Sequence, residues 1–106
     1  MLLKDKVIIV TGASSGIGAA AALKFAEQGA KLVLGARWRD ALEAVAGQVT
    51  RSNAAAVAVP GDVKDAGYAE ELVEVAKERF GGPDGAFNNA GKLGSGAMVK
   101  ATGPEE

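Results

Sequence analysis

The sequence predicts an α/β protein: a three-layer sandwich in which a parallel sheet of about four strands, in order 3-2-1-4, carries helices on both faces as an incomplete doubly wound fold. Three observations predict it. The run Val7-Ile8-Ile9-Val10-Thr11 is β-branched and apolar on both faces until Thr11, as a central parallel strand requires. Short apolar runs of this kind alternate along the chain with longer stretches of helical period, so each strand must return parallel to the last through a crossover helix. The glycine-rich stretch "TGASSGIG" (Thr11 to Gly18) lies between the first strand and the first helix, where a crossover needs a tight turn and a ligand needs close backbone approach.

Taken in order, the first helix is expected from Gly16 to Gln28, with Ile17, Ala21 and Phe25 at four-residue spacing, Ala22 and Ala26 beside them, and Gly29 as its left-handed stop. "KLVLGA" (Lys31 to Ala36) is the second strand. Asp40 is a candidate cap for the second helix, whose apolar positions are Leu42, Val45, Ala46 and Val49; Gly47 in its interior costs about 1 kcal/mol relative to alanine. "AAAVAVP" (Ala54 to Pro60) is the third strand. The third helix runs from about Asp65 to Phe80 with Ala69, Leu72, Val73, Ala76 and Phe80 as its buried stripe, and Gly81-Gly82-Pro83 ends it. "DGAFN" (Asp84 to Asn88) is the fourth strand. Right-handed crossovers put the first two helices on one face and the third on the other.

Residues 1–90 thus read as a partial doubly wound domain, and residues 91–106 ("GKLGSGAMVKATGPEE") as a glycine-rich, loop-like tail with at most a helical turn around Ala97 to Lys100. The fourth strand is left at an edge, which invites association with another copy of the chain.

Composition narrows the chemistry. Of 106 residues 48% are hydrophobic and 24% charged, with net charge -1, which suits a folded domain and gives no basic stripe for nucleic acid. Cysteine and histidine are absent, so disulfides, thiol nucleophiles, the usual zinc ligands and Ser-His-Asp or Cys-His mechanisms are excluded within this chain, and no metal site is expected. The apolar run Val7 to Val10 is too short for a membrane span or a signal-peptide core. The expectation is a soluble cytoplasmic protein with no membrane partner.

A helix amino end preceded by glycines offers unpaired N–H groups and the positive end of the peptide dipoles, a site for phosphate. The triphosphate loop G-x-x-x-x-G-K-[ST] fails here, because the residue five beyond Gly12 is Ile17 and no Lys-Ser/Thr follows. The dinucleotide form G-x-G-x-x-[GA] is met by Gly16, Gly18 and Ala21. Ser14 and Ser15 add hydroxyl donors. The competing reading is a turn that only packs the first helix on the sheet.

"TGASSGIG" resembles the T-G-x-x-x-G-x-G fingerprint of the classical short-chain dehydrogenases/reductases. "NNAG" (Asn88 to Gly91) and "GDV" (Gly61 to Val63) are similar to that family's segments after its fourth and third strands, in the same order. The resemblance covers roughly Leu3 to Gly91. It implies a Rossmann-like fold in which Gly12, Gly16 and Gly18 form the coenzyme loop with the Ile17 N–H on the pyrophosphate. It implies that Asp62 accepts from the adenine amino group, that Val63 meets the ring through its backbone, and that the Asn88-Asn89-Ala90-Gly91 turn lines the nicotinamide-side ribose. Asp62 also suits a helix cap.

Members that prefer NAD carry a carboxylate at the end of the second strand to hold the ribose diol. Here "LGARWR" places Ala36 in that slot, and the planar fork of Arg37 suits a 2′-phosphate, so NADP(H) is expected over NAD(H). Arg39 flanks Trp38 on the other side; Trp38 either stacks near adenine or covers the helix.

The resemblance implies oxidoreductase activity, reversible hydride transfer between alcohol and carbonyl, with a tyrosine, a lysine four residues later and a serine downstream of "NNAG". The one tyrosine, Tyr68, has Leu72 in the lysine position and precedes the fourth strand, so it is expected to be an ordinary half-exposed helix residue. Ser95, Lys92 and Lys100 have no tyrosine in register. No catalytic residue is assigned, and the chain reads as the coenzyme-binding part of a longer reductase, inactive alone; the alternatives are a non-catalytic dinucleotide-binding module or a structural assembly domain.

Overall fold

The computed structural model describes residues 3–14, 16–62 and 64–88 together with the backbone of residues 97–100. Among these, the elements in chain order are β1 (Val7–Thr11), α1 (Gly16–Glu27), β2 (Lys31–Ala36), α2 (Arg39–Arg51), β3 (Ala56–Pro60), α3 (Ala66–Phe80), β4 (Gly85–Asn88) and β5 (Ala97–Lys100). One sheet contains all the strands in order β3-β2-β1-β4-β5. The first four are parallel in the expected 3-2-1-4 order.

The alternation of β1 divides the core. Ile8 and Val10 face one side, where they pack with Leu32 and Leu34 of β2, Ala22 and Ala26 of α1, and Leu42, Val45 and Val49 of α2. Val7 and Ile9 face the other, with Val33, Val59 and the α3 residues Tyr68, Leu72 and Ala76. Successive strand side chains point to opposite faces, so a run without polar residues is buried on both. Full burial of side chains such as Leu32, Leu34 and Leu42 stabilises the fold by about 1.5–3 kcal/mol each. Asp84 registers β4 on β1: its carboxylate accepts from the Val7 N–H at 2.8 Å and its own N–H donates to the Val7 carbonyl at 2.8 Å.

Residues 97–100 depart from the expected loop or helical turn. They form β5, antiparallel to β4, with Asn88 opposite Ala97 and Gly85 opposite Lys100. The residues between the two strands, 89–96, are too few for the crossover of a dozen or more that a parallel partner requires, so an antiparallel return is the accessible pairing. It gives the outer backbone groups of β4 their partners. The edge expected at β4 is therefore covered, and β5 is the outer strand on that side.

The helices correct the predicted stripes and caps. In α1 the buried positions are Gly18, Ala22 and Ala26, while Ile17 stands exposed. In α3 they are Tyr68, Leu72 and Ala76, and Ala69 is exposed. In α1 small residues on adjacent faces leave the helical phase open by one position and close packing on the sheet selects the smaller side, whereas in α3 the space left by Gly35 and Gly61 admits Tyr68. The cap of α2 is Trp38, not Asp40; the Trp38 carbonyl accepts from the Leu42 N–H at 3.0 Å and no side chain caps the helix. Asp65 caps α3 by accepting from the Gly67 N–H at 3.0 Å, and Gly81, at φ 83°, closes it with a left-handed turn.

Candidate functional site

The register brings the carboxyl ends of the parallel strands level, with Thr11 opposite both Gly35 and Asn88, and Ala36 opposite Pro60. Thr11 and Asn88 are joined there by a hydrogen bond from Thr11 Oγ1 to Asn88 Oδ1 of 3.0 Å. The chain leaves β1 through Gly12, whose φ of 67° lies in the left-handed region that glycine adopts without strain. The Ala13 N–H donates to the Gly35 carbonyl at 3.1 Å, which ties this loop to β2.

The loop glycines differ in what constrains them. At Gly18 a Cβ would collide with the Gly12 carbonyl group and stand 3.1 Å from Ala13 Cα, so the helix can start this close to β1 only because Gly18 has no side chain. At Gly16, the first residue of α1, a Cβ would meet nothing within 4 Å. Folding does not demand glycine at Gly16; the space in front of it is open to solvent and to a ligand. That opening lies against the amino end of a helix of 12 residues, where N–H groups without intrahelical partners and the positive end of the helix dipole favour an anion.

Beside it lies a cleft of about 260 Å³ lined by Gly12 and Ser14 from the loop, Ala36 and Arg37 from the end of β2, and Gly61 and Asp62 beyond β3. Trp38 and Lys64 also line it. Two of the predicted ligand side chains face each other here, with Arg37 Nε 4.0 Å from Asp62 Oδ2. Both are substantially exposed, so the pair is weak and can exchange for a bound ligand. The Arg37 guanidinium also sits 5.7 Å from the centre of the Trp38 ring. Asp62 Oδ1 accepts from the Lys64 N–H at 2.9 Å, which fixes the carboxylate at the entrance to α3, while capping of that helix falls to Asp65.

Gly12, Ser14, Arg37 and Asp62 thus meet in one cleft, and Gly16, Ile17 and Gly18 start the helix next to it. Ser15, Val63, Asn89, Ala90 and Gly91 lie outside the described residues. The large apolar side chains exposed among the described residues are Ile17 and Trp38, and both belong to this end of the sheet.

Sequence reasoning missed Lys64 and Tyr68. Lys64 follows "GDV" directly and brings a second cation to the cleft. Tyr68 is 4% exposed rather than half-exposed, packed under β2 and β3 with its hydroxyl donating to the Val59 carbonyl at 2.5 Å. Burial raises its phenol above the ordinary 10.0, a hydrogen bond with the Ala36 backbone draws it back, and Glu71 adds to the rise. The phenol is therefore neutral at neutral pH. Among the described residues no helix is long and apolar enough to cross a membrane, and no group of His, Cys, Asp and Glu is placed to hold a metal ion.

A parallel sheet whose strand ends and first helix surround a glycine-walled cleft defines an α/β protein of the doubly wound class. The family model for short chain dehydrogenases matches residues 6–105, and the chain belongs to that family. An uncharacterized oxidoreductase of Listeria innocua is 48% identical over 91 residues, covering 86% of this chain and 37% of that protein. One of Staphylococcus aureus is 42% identical over 92 residues, covering 87% of this chain and 39% of its own length. Among solved structures, the L-sorbose reductase of Gluconobacter frateurii, complexed with NADPH and L-sorbose, matches with a TM-score of 0.80 and 38% identity over 85% of this chain and 35% of its own. A short-chain dehydrogenase/reductase of Serratia marcescens matches at 0.82 and 37% identity, over 86% and 38%. The chain spans less than two fifths of the length of each of these relatives.

Proposed function

We propose that this chain is the coenzyme-binding part of an NADP(H)-dependent oxidoreductase that interconverts an alcohol and a carbonyl compound. The observation that carries the reading is the cleft itself: open space before Gly16 at the start of α1, continuous in sequence with Gly12 and Ser14, beside Arg37 and Asp62. The α1 amino end takes the pyrophosphate, Asp62 the adenine amino group, and Arg37 the 2′-phosphate. Ala36 stands where a carboxylate would otherwise grip the ribose diol and repel a phosphate, and Lys64 adds positive charge. Val63 and the turn of Asn89, Ala90 and Gly91 extend the same ligand path by the family resemblance. The bound dinucleotide supplies or receives the hydride; these residues bind and orient it.

The proton-transfer group does not come from Tyr68. Its hydroxyl is committed under β3, three strand spacings from β4, or about 14 Å across the sheet. No other tyrosine occurs in the 106 residues, which favours binding without turnover by this chain alone.

Isothermal titration with NADPH and NADH side by side tests the reading. A charge-assisted pair from Arg37 contributes about 1.5–3 kcal/mol, so NADPH binds some 10- to 100-fold tighter. Arg37→Ala brings NADPH to the level of NADH. Equal affinities in the unsubstituted chain contradict the preference, and no binding of either contradicts the dinucleotide reading.

A further inference from the structure

Tyr68 occupies a notch that exists because two residues lack side chains. A Cβ on Gly35 of β2 would stand 2.5 Å from the phenol oxygen, and a Cβ on Gly61 would run into the ring carbons. The hydroxyl donates to the Val59 carbonyl of β3, and the same oxygen lies against Gly35 of β2, in the place a side chain there would take. The phenol is thus bonded to the end of β3 and packed against the end of β2. The chain continues from Ala36 straight into Arg37, and from Val59 through Pro60 and Gly61 into Asp62. Just beyond the ladder, the Gly61 N–H donates to the Ala36 carbonyl at 2.9 Å and joins the two ends directly. A leucine would fill such a notch without burying a hydroxyl; the combination of a tyrosine with two glycines places a polar link under the cleft floor.

We infer that Tyr68 is a positioning residue for the adenosine end of the cleft: it locks the ends of β2 and β3 at the separation that sets Arg37 opposite Asp62. The inference rests on the dinucleotide reading above, and it assigns to α3 a part in coenzyme selectivity although Tyr68 does not line the cleft. Displacement of ligand groups by fractions of an ångström is enough to weaken a site built from fixed side chains.

The test uses the full chain and Tyr68→Phe, which keeps the ring and removes the link. Two probes separate the ends of the site: 2′,5′-ADP for the adenosine end and inorganic pyrophosphate for the α1 end. Tyr68→Phe weakens 2′,5′-ADP about 5- to 20-fold and leaves pyrophosphate unchanged. Without any ligand, amide hydrogen exchange at Arg37, Gly61 and Asp62 speeds up about fivefold or more while that of α1 does not. Gly35→Ala, which pushes a methyl group against the phenol from β2, reproduces both effects. A purely structural tyrosine would instead lower protection throughout the sheet and weaken both probes together, and that result overturns the inference. If the unsubstituted chain binds neither probe, the dinucleotide reading fails on its own, and the exchange measurement still decides: unaltered exchange at Arg37, Gly61 and Asp62 in both variants overturns the positioning role.

Discussion

At Gly16 and Gly18, two residues apart, the same amino acid serves different ends. Gly18 is needed by the fold, because the Gly12 carbonyl group occupies the place of its missing side chain. Gly16 faces open space, so its lack of a side chain matters to whatever approaches the helix end. Gly18→Ala forces the backbone of Gly12 or the start of α1 to move, and the expected loss is about 1–3 kcal/mol in chemical denaturation. Gly16→Ala stays within about 0.5 kcal/mol of the unsubstituted chain. Equal effects of the two would show that α1 is not seated on Gly12 in this way. The motif G-x-G-x-x-[GA] names both positions alike, and only the structure separates the packing glycine from the one that faces open space. Arg37 and Asp62 were each singled out in the sequence, but their approach to each other, 4.0 Å apart in one cleft, depends on the register between β2 and β3.

Among the elements, β1 and β2 were readable to the residue, since a short run that is β-branched in β1 and apolar in β2, buried on both faces over most of its length, leaves little freedom. The phase of α1 was not, because alanine and glycine on neighbouring faces make two stripes nearly equivalent, and that of α3 was not, because it turns on Tyr68. Tyr68 was misread because the space that buries it comes from Gly35 on another element and from Gly61, and neither leaves a mark in the period of α3. β5 was illegible because its four residues, Ala97–Lys100, are few and lie in a glycine-rich stretch, so that only the pairing with β4 marks them as a strand. In α2 the unusual feature is the cap. Trp38 has the extended backbone of a cap residue, yet its side chain makes no capping bond and is 69% exposed. Trp38→Ser supplies the missing acceptor, and urea denaturation is expected to show a gain of about 1 kcal/mol. A loss instead would mean that the indole packs on the helix rather than standing ready beside the cleft.

For the whole molecule, the two cores on opposite faces of one sheet hold the strand ends in a level row, and the glycine loop, Arg37 and Asp62 are the groups that row presents. Ligand held there must stabilise the folded chain by mass action, by about 2.7 kcal/mol at one hundred times its dissociation constant. The central claim is that the open corner before Gly16 receives a dinucleotide's pyrophosphate. The most direct measurement is the NADPH affinity of Gly16→Val against that of the unsubstituted chain, with thermal unfolding of both. Since a Cβ at Gly16 would meet, among the described residues, no atom within 4 Å beyond its chain neighbours and its own helix backbone, the variant is expected to fold with little change in melting temperature and to lose NADPH binding by 100-fold or more, about 2.7 kcal/mol. NADPH bound as tightly by a normally folded Gly16→Val chain would contradict the account.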